Sequence, residues 1–106
     1  MGNLGMEIPE TMQGFTDLHK AAMNENQLST KVKELIALGI GIAVHCDGCI
    51  AYHVNDALQA GATKKEIAET IGVAVMMGGG PSVVYGCEAL EAVKQFELLN
   101  KAVPAA

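Results

Sequence analysis

Cys46 and Cys49 stand three residues apart in the run His45-Cys46-Asp47-Gly48-Cys49, and His53 follows four residues after the second cysteine. Residues at i and i+4 of a helix share a face, so a helix opening at Asp47 puts the His53 imidazole beside the Cys49 thiol, with Cys46 one turn earlier near both. The nucleophilic form of cysteine is the thiolate. A helix amino terminus favours it through partial positive charge and free N–H groups, and a neighbouring imidazole can accept or return the proton. The spacing therefore points to thiol–disulfide chemistry at Cys46 and Cys49 with His53 as base. Glu34 is the candidate carboxylate. It shares a helical face with Leu38, Gly41 and Ile42 that would turn it inward, where a buried carboxylate needs a partner and His53 is one.

Competing readings of the same residues are specific. Cysteine is often a small buried hydrophobe, and a single Cys-x-x-Cys is a weak signal. His45, Cys46, Cys49 and His53 have the composition of a tetrahedral zinc site, but four ligands within nine residues would crowd one ion, so neither a metal nor a cofactor is expected. His45 reads equally well as a helix-terminal residue, and His19 as a surface or interface histidine. Cys87 shares a helical stripe with Val84 and Leu90 and is expected in the core. Gly78 to Gly80 form a turn rather than a phosphate loop, because no Gly-Lys-Ser or Gly-Lys-Thr follows and Pro81 removes a donor.

About five helices must position these groups, in an all-α fold. Residues 1–9, with two glycines and a proline, read as an irregular arm. Met12, Phe15, Leu18 and Ala22 recur at helical spacing from Glu10 to Asn24. A second helix follows an N-cap at Ser29 or Thr30 and carries Val32, Leu35, Ile36, Ile40 and Ala43 up to His45; Gly39 and Gly41 within it imply close approach of another helix. Asp47 to Ala60 forms the third, stopped by Gly61. Thr63 and Glu66 make a capping box for a fourth, through Ile67, Ile71 and Val75. Pro81 suits the first turn of a fifth, which runs through Val84, Cys87, Leu90 and Val93 to about Asn100, with a tail over 101–106.

A chain of 106 residues holds one domain, and its apolar half contains no Trp and only two Phe and two Tyr. Ala, Val, Ile, Leu and Met supply more apolar surface than so small an interior can bury, which predicts a homo-oligomer. A net charge of -5 with seven scattered Lys and Arg argues against nucleic acid as partner. The longest apolar run, Leu35 to Val44, is half the roughly 20 residues of a membrane helix. No signal peptide opens the chain, so a cytoplasmic protein is expected. In that reducing compartment, three cysteines point to redox or packing roles rather than a permanent structural disulfide.

From Val32 to Phe96 the sequence resembles the alkylhydroperoxidase-D-like branch of the carboxymuconolactone decarboxylase family. The resemblance lies in Glu34 twelve residues before the first cysteine, the His45-Cys46-Asp47-Gly48-Cys49 run, Tyr52-His53, Leu58-Gln59-Ala60-Gly61-Ala62-Thr63 with Glu66-Ile67, and Gly78-Gly79-Gly80-Pro81 before Tyr85. It implies an all-helical trimer or hexamer in which Cys49 attacks a hydroperoxide, Cys46 resolves, His53 is the base and Glu34 relays the proton, with a thiol or protein reductant closing the cycle. Alkylhydroperoxidase D has a His between its cysteines where this chain has Asp47-Gly48. Lactone-decarboxylating members generally lack the cysteine pair, so its presence argues against that activity. A non-enzymatic redox sensor or stress interaction protein on the same scaffold is the other reading.

Overall fold

The computed structural model describes residues 2–102. These form six α-helices, α1 (Gly2–Glu7), α2 (Pro9–Met23), α3 (Thr30–Ala43), α4 (Asp47–Gln59), α5 (Lys64–Gly78) and α6 (Gly80–Ala102), with no strand among the described residues. The chain divides into two compact units, one ending at Thr30 and the other starting at Lys31.

In the first unit the expected irregular arm is instead the short helix α1, and Pro9 already belongs to α2. Pro9 sits in the first turn, where a missing N–H costs nothing. The hydrogen-bond ladder carries across the junction, Ile8 N–H donating to Leu4 O and Met12 N–H to Ile8 O. The two glycines and the proline are helix breakers by type but not at these positions. Neither helix buries a side chain, and Leu4, Met6, Ile8, Phe15 and Leu18 are all exposed.

The second unit packs its core from all four of its helices. Leu38 and Ile42 of α3 meet Ile50, Val54 and Ala57 of α4, Ile67 and Ala74 of α5, and Ala89 and Val93 of α6. The connection from α4 to α5 is made by local chemistry. Gly61, at φ 96, ends α4 in a Schellman turn, its N–H donating to Leu58 O while Ala62 N–H reaches Ala57 O. Two residues on, the Thr63 hydroxyl accepts from Glu66 N–H and the Glu66 carboxylate accepts from Thr63 N–H, the capping box read from the sequence.

That cap has a pH signature. The Thr63 backbone N–H, and then Lys31, hold the Glu66 carboxyl below its ordinary value of 4.5. A carboxyl lowered by folding contributes stability above its unfolded value and loses that contribution as pH falls through the folded one. Thr63→Ala, which removes the N-cap, should lower the urea midpoint at neutral pH. The difference between wild type and Glu66→Gln should shrink as the pH is taken down through the carboxylate range.

Two expectations about α6 need correction. The helix continues through Lys101 and Ala102, past its expected end near Asn100, and 103–106 lie outside the described residues. Cys87 is exposed rather than in the core. The face of α6 that turns inward carries Ser82, Gly86, Ala89 and Val93, while Val83 and Val84 are also exposed. Apolar residues occur on every side of this helix, so hydrophobicity did not select the face. Close approach did: a Cβ on Gly86 would run into the Ile71 side chain of α5.

Candidate functional site

The site is built where α3 ends and α4 begins. Val44 N–H donates to Ile40 O, His45 N–H to Ile42 O and Cys46 N–H to Gly41 O, so α3 also closes in a Schellman turn. The left-handed position of that turn is filled by His45, at φ 61, the only non-glycine with positive φ among the described residues. An L side chain there costs roughly 1–2 kcal/mol. The His45 ring stacks on Tyr85 of α6, with centroids 4.7 Å apart and planes 5° from parallel. Aromatic pairs of this kind contribute about 0.5–1.5 kcal/mol, enough to offset much of the backbone cost.

Cys46 is then the N-cap of α4, its Sγ accepting from Cys49 N–H at 3.3 Å, and Cys46 and Cys49 are joined as a disulfide. Their Cα atoms are 5.2 Å apart. Gly41 of α3 lies directly behind. A Cβ there would stand 3.2 Å from Cys49 Cβ, so glycine lets α3 back onto the cysteine pair. Gly39 faces Thr70 of α5, where a Cβ would stand 3.4 Å from its methyl. The close approach expected of both glycines is thus met at Gly41, whereas Gly39 has room for a Cβ at ordinary contact distance.

Two turns earlier on the same face of α3, Glu34 is buried, and its Oε2 lies 2.7 Å from His53 Nδ1. Their side chains are 5 % and 17 % exposed, so little water competes for the bond. A carboxylate only accepts, which places the proton on Nδ1 and the ring lone pair of a neutral His53 on Nε2. Tyr52 meets the His53 ring edge-on at 5.4 Å. All four residues singled out from the sequence thus fall at one α3–α4 seam: the disulfide against Gly41 at one end, the Glu34–His53 pair at the other.

Two contacts at this seam had no clear sequence signal. One is the His45–Tyr85 stack. The other is the placement of Asp47, between the cysteines, beside Glu88 of α6, where the nearby acid holds the Glu88 carboxyl above its ordinary value. These acids line a cleft of about 300 Å³ with Glu91 and Gln95. Only the packing of α6 against α4 brings positions 47 and 88 together, so no local spacing could have found them. On the other side of the unit, Ile36, Ile40, Val73 and Met77 line an apolar groove of about 510 Å³ between α3 and α5. No helix among the described residues is long and apolar enough to cross a membrane.

The sequence pattern of the carboxymuconolactone decarboxylase family matches residues 9–92. An uncharacterised protein of Cupriavidus necator is 37% identical over 99 residues, which cover 93% of this chain and 85% of that one. Among solved structures, an apo carboxymuconolactone decarboxylase family protein from Legionella pneumophila superposes with a TM-score of 0.87 at 45% identity, over 90% of this chain and 85% of its own. A Thermotoga maritima member of the family, put forward as a participant in an antioxidative response, superposes at 0.81 with 28% identity, over 88% of this chain and 96% of its own.

Proposed function

Because the chain belongs to the carboxymuconolactone decarboxylase family and carries a cysteine pair at the α3–α4 seam, we propose that it is a thiol-dependent peroxidase of the alkylhydroperoxidase-D-like branch. The observation that carries the reading is the Glu34–His53 hydrogen bond on the same helix pair as the Cys46–Cys49 disulfide. A bare disulfide is compatible with packing. A buried carboxylate that orients an imidazole one helical turn from a cysteine is the arrangement of a base prepared to take a thiol proton.

The cycle runs in three balanced steps. His53 takes the Cys49 proton, the thiolate attacks the outer peroxide oxygen, and the O–O bond breaks to give Cys49 sulfenic acid and, with the proton returned, an alcohol. The Cys46 thiol then displaces hydroxide from the sulfenic sulfur, forming the Cys46–Cys49 disulfide and water. An external dithiol finally reduces the disulfide by exchange and leaves oxidised. Glu34 holds the His53 ring throughout and stabilises the imidazolium while it carries the proton. The reaction is expected in a reducing, cytoplasmic setting, where the dithiol is regenerated.

The chain is further expected to work as a homo-oligomer, a trimer or hexamer. Ile36, Ile40, Val73 and Met77 on one groove, with Val44 and Met76 exposed nearby in sequence, make an apolar surface that further copies of the chain would cover.

The test is peroxide consumption in the presence of a dithiol. Multiple turnovers per chain support the peroxidase. Stoichiometric, reversible oxidation without turnover would make the protein a redox sensor. Cys87→Ala should leave the rate unchanged, because Cys46 and Cys49 pair with each other and Cys87 is a free thiol.

A further inference from the structure

We propose that the His45–Tyr85 stack is a positioning device for Cys46, and that it sets how strongly the Cys46–Cys49 disulfide is favoured over the dithiol. This rests on reading the site as a reversible dithiol–disulfide couple, though not on peroxide being its oxidant.

Among the described residues of the second unit, two helix ends close in Schellman turns, and they use different residues at the same backbone position. At the end of α4 the left-handed residue is Gly61, at φ 96; at the end of α3 it is His45, at φ 61. Glycine takes that conformation without strain, and histidine does not. A strained residue persists only where its surroundings hold it, and the parallel stack on Tyr85 is what holds this one. Tyr85 is well placed to act as anchor. It is half-buried and packs against the core, whereas His45 itself is exposed. The stack thus ties an otherwise solvent-facing corner to α6.

The reactive pair begins at the very next residue. Cys46 N–H bonds to Gly41 O at 3.0 Å, and the Cys46 side chain caps α4. The His45 dihedrals therefore set the direction in which the backbone leaves α3 and where Cys46 stands relative to Cys49. Cys49 is held by other means, inside α4 and against Gly41. Only one of the two sulfurs sits on a corner that could swing. In the disulfide form the S–S bond itself restrains that corner; in the dithiol form the stack must do so. Anchoring Cys46 in the dithiol lowers the conformational freedom lost on ring closure, and so favours the disulfide.

Positioning and plain structural support lead to different outcomes. His45→Gly gives the turn the residue its backbone prefers while removing the anchor. Its melting temperature should equal or exceed that of wild type, yet its disulfide–dithiol equilibrium against dithiothreitol at pH 7, read by alkylation and mass, should move about three- to tenfold toward the dithiol. Tyr85→Leu should shift the equilibrium in the same direction, and the double variant should go no further than the larger single effect. His45→Phe and Tyr85→Phe keep both rings and should stay within about twofold of wild type. An unchanged equilibrium in His45→Gly would overturn the proposal. His45→Phe behaving like His45→Gly would overturn it too, since the imidazole and not the stack would then be responsible. A wild-type chain with no reversible couple would remove both this inference and the proposed function; a wild-type couple with unresponsive variants would remove this inference alone.

Discussion

Cys46→Ser, treated with one equivalent of hydroperoxide, should accumulate sulfenic acid at Cys49, and Cys49→Ser should lose peroxide consumption. Two physical effects compete for this assignment. The amino terminus of α4 acts most directly on Cys46, whose sulfur caps the helix and accepts Cys49 N–H. A helix terminus contributes roughly 0.3–1 kcal/mol, which moves a thiol by less than one pH unit. Asp47 stands in the first turn of α4, and negative charge there works against a thiolate. His53 lies one turn after Cys49 on α4, and a general base positioned there would contribute about a hundredfold or more in rate. The base should outweigh the helix terminus, so Cys49 is expected to attack and Cys46 to resolve. Sulfenic acid trapped at Cys46 in the Cys49→Ser chain, and none at Cys49 in Cys46→Ser, would reverse the roles.

The Glu34–His53 pair carries the second large effect, and here rate and stability can be separated. His53→Ala should slow sulfenic acid formation about a hundredfold. It also leaves the buried Glu34 carboxylate without the donor that His53 supplies, a change that typically destabilises by about 1–3 kcal/mol or more. The melting temperature should therefore fall along with the rate. Glu34→Gln isolates the relay. The amide fills the same space and its oxygen can still accept from Nδ1, so the fold should hold, but a neutral group stabilises the transient imidazolium less and the rate should drop while KM for peroxide stays put. If Glu34→Gln were as active as wild type, the carboxylate would be a structural partner of His53 and no part of the proton path. Single-turnover kinetics on the two variants, alongside thermal unfolding, decide between these outcomes.

The legibility of this site in the sequence tracks the range of the interactions. Cys46, Cys49 and His53 lie within about two turns of a helix break, with Cys46 at the cap of α4 and Cys49 and His53 four residues apart on one face of it. The capping box at Thr63 and the turn at Gly61 are legible for the same reason: donor, acceptor and left-handed residue are all local. Glu34 is a longer step, because position near a helix start also suits a solvated carboxylate. Its apolar companions Leu38 and Ile42 turn the argument toward burial, and the structure buries all three.

Where the sequence misleads, the deciding interaction is one of register or of tertiary packing. Pro9 and the early glycines read as an arm when type is weighed without register; the same proline in a first helical turn is compatible with α2. Cys87 reads as core because its neighbours Val84 and Leu90 are apolar, yet α6 is apolar on several sides and its inward face went to the small residues Gly86 and Ala89 that let α5 come close. The Asp47–Glu88 juxtaposition and the His45–Tyr85 stack join positions forty or so residues apart, and nothing in either local segment announces the other. Which residues could do thiol chemistry, and on which helix they sit, was already fixed by the order of amino acids, since those relations are set by backbone periods and caps within a few residues. What holds these residues in place was settled by folding alone, because burial, the choice of helix face and the partner of each ring or carboxyl depend on which surfaces meet once the helices pack.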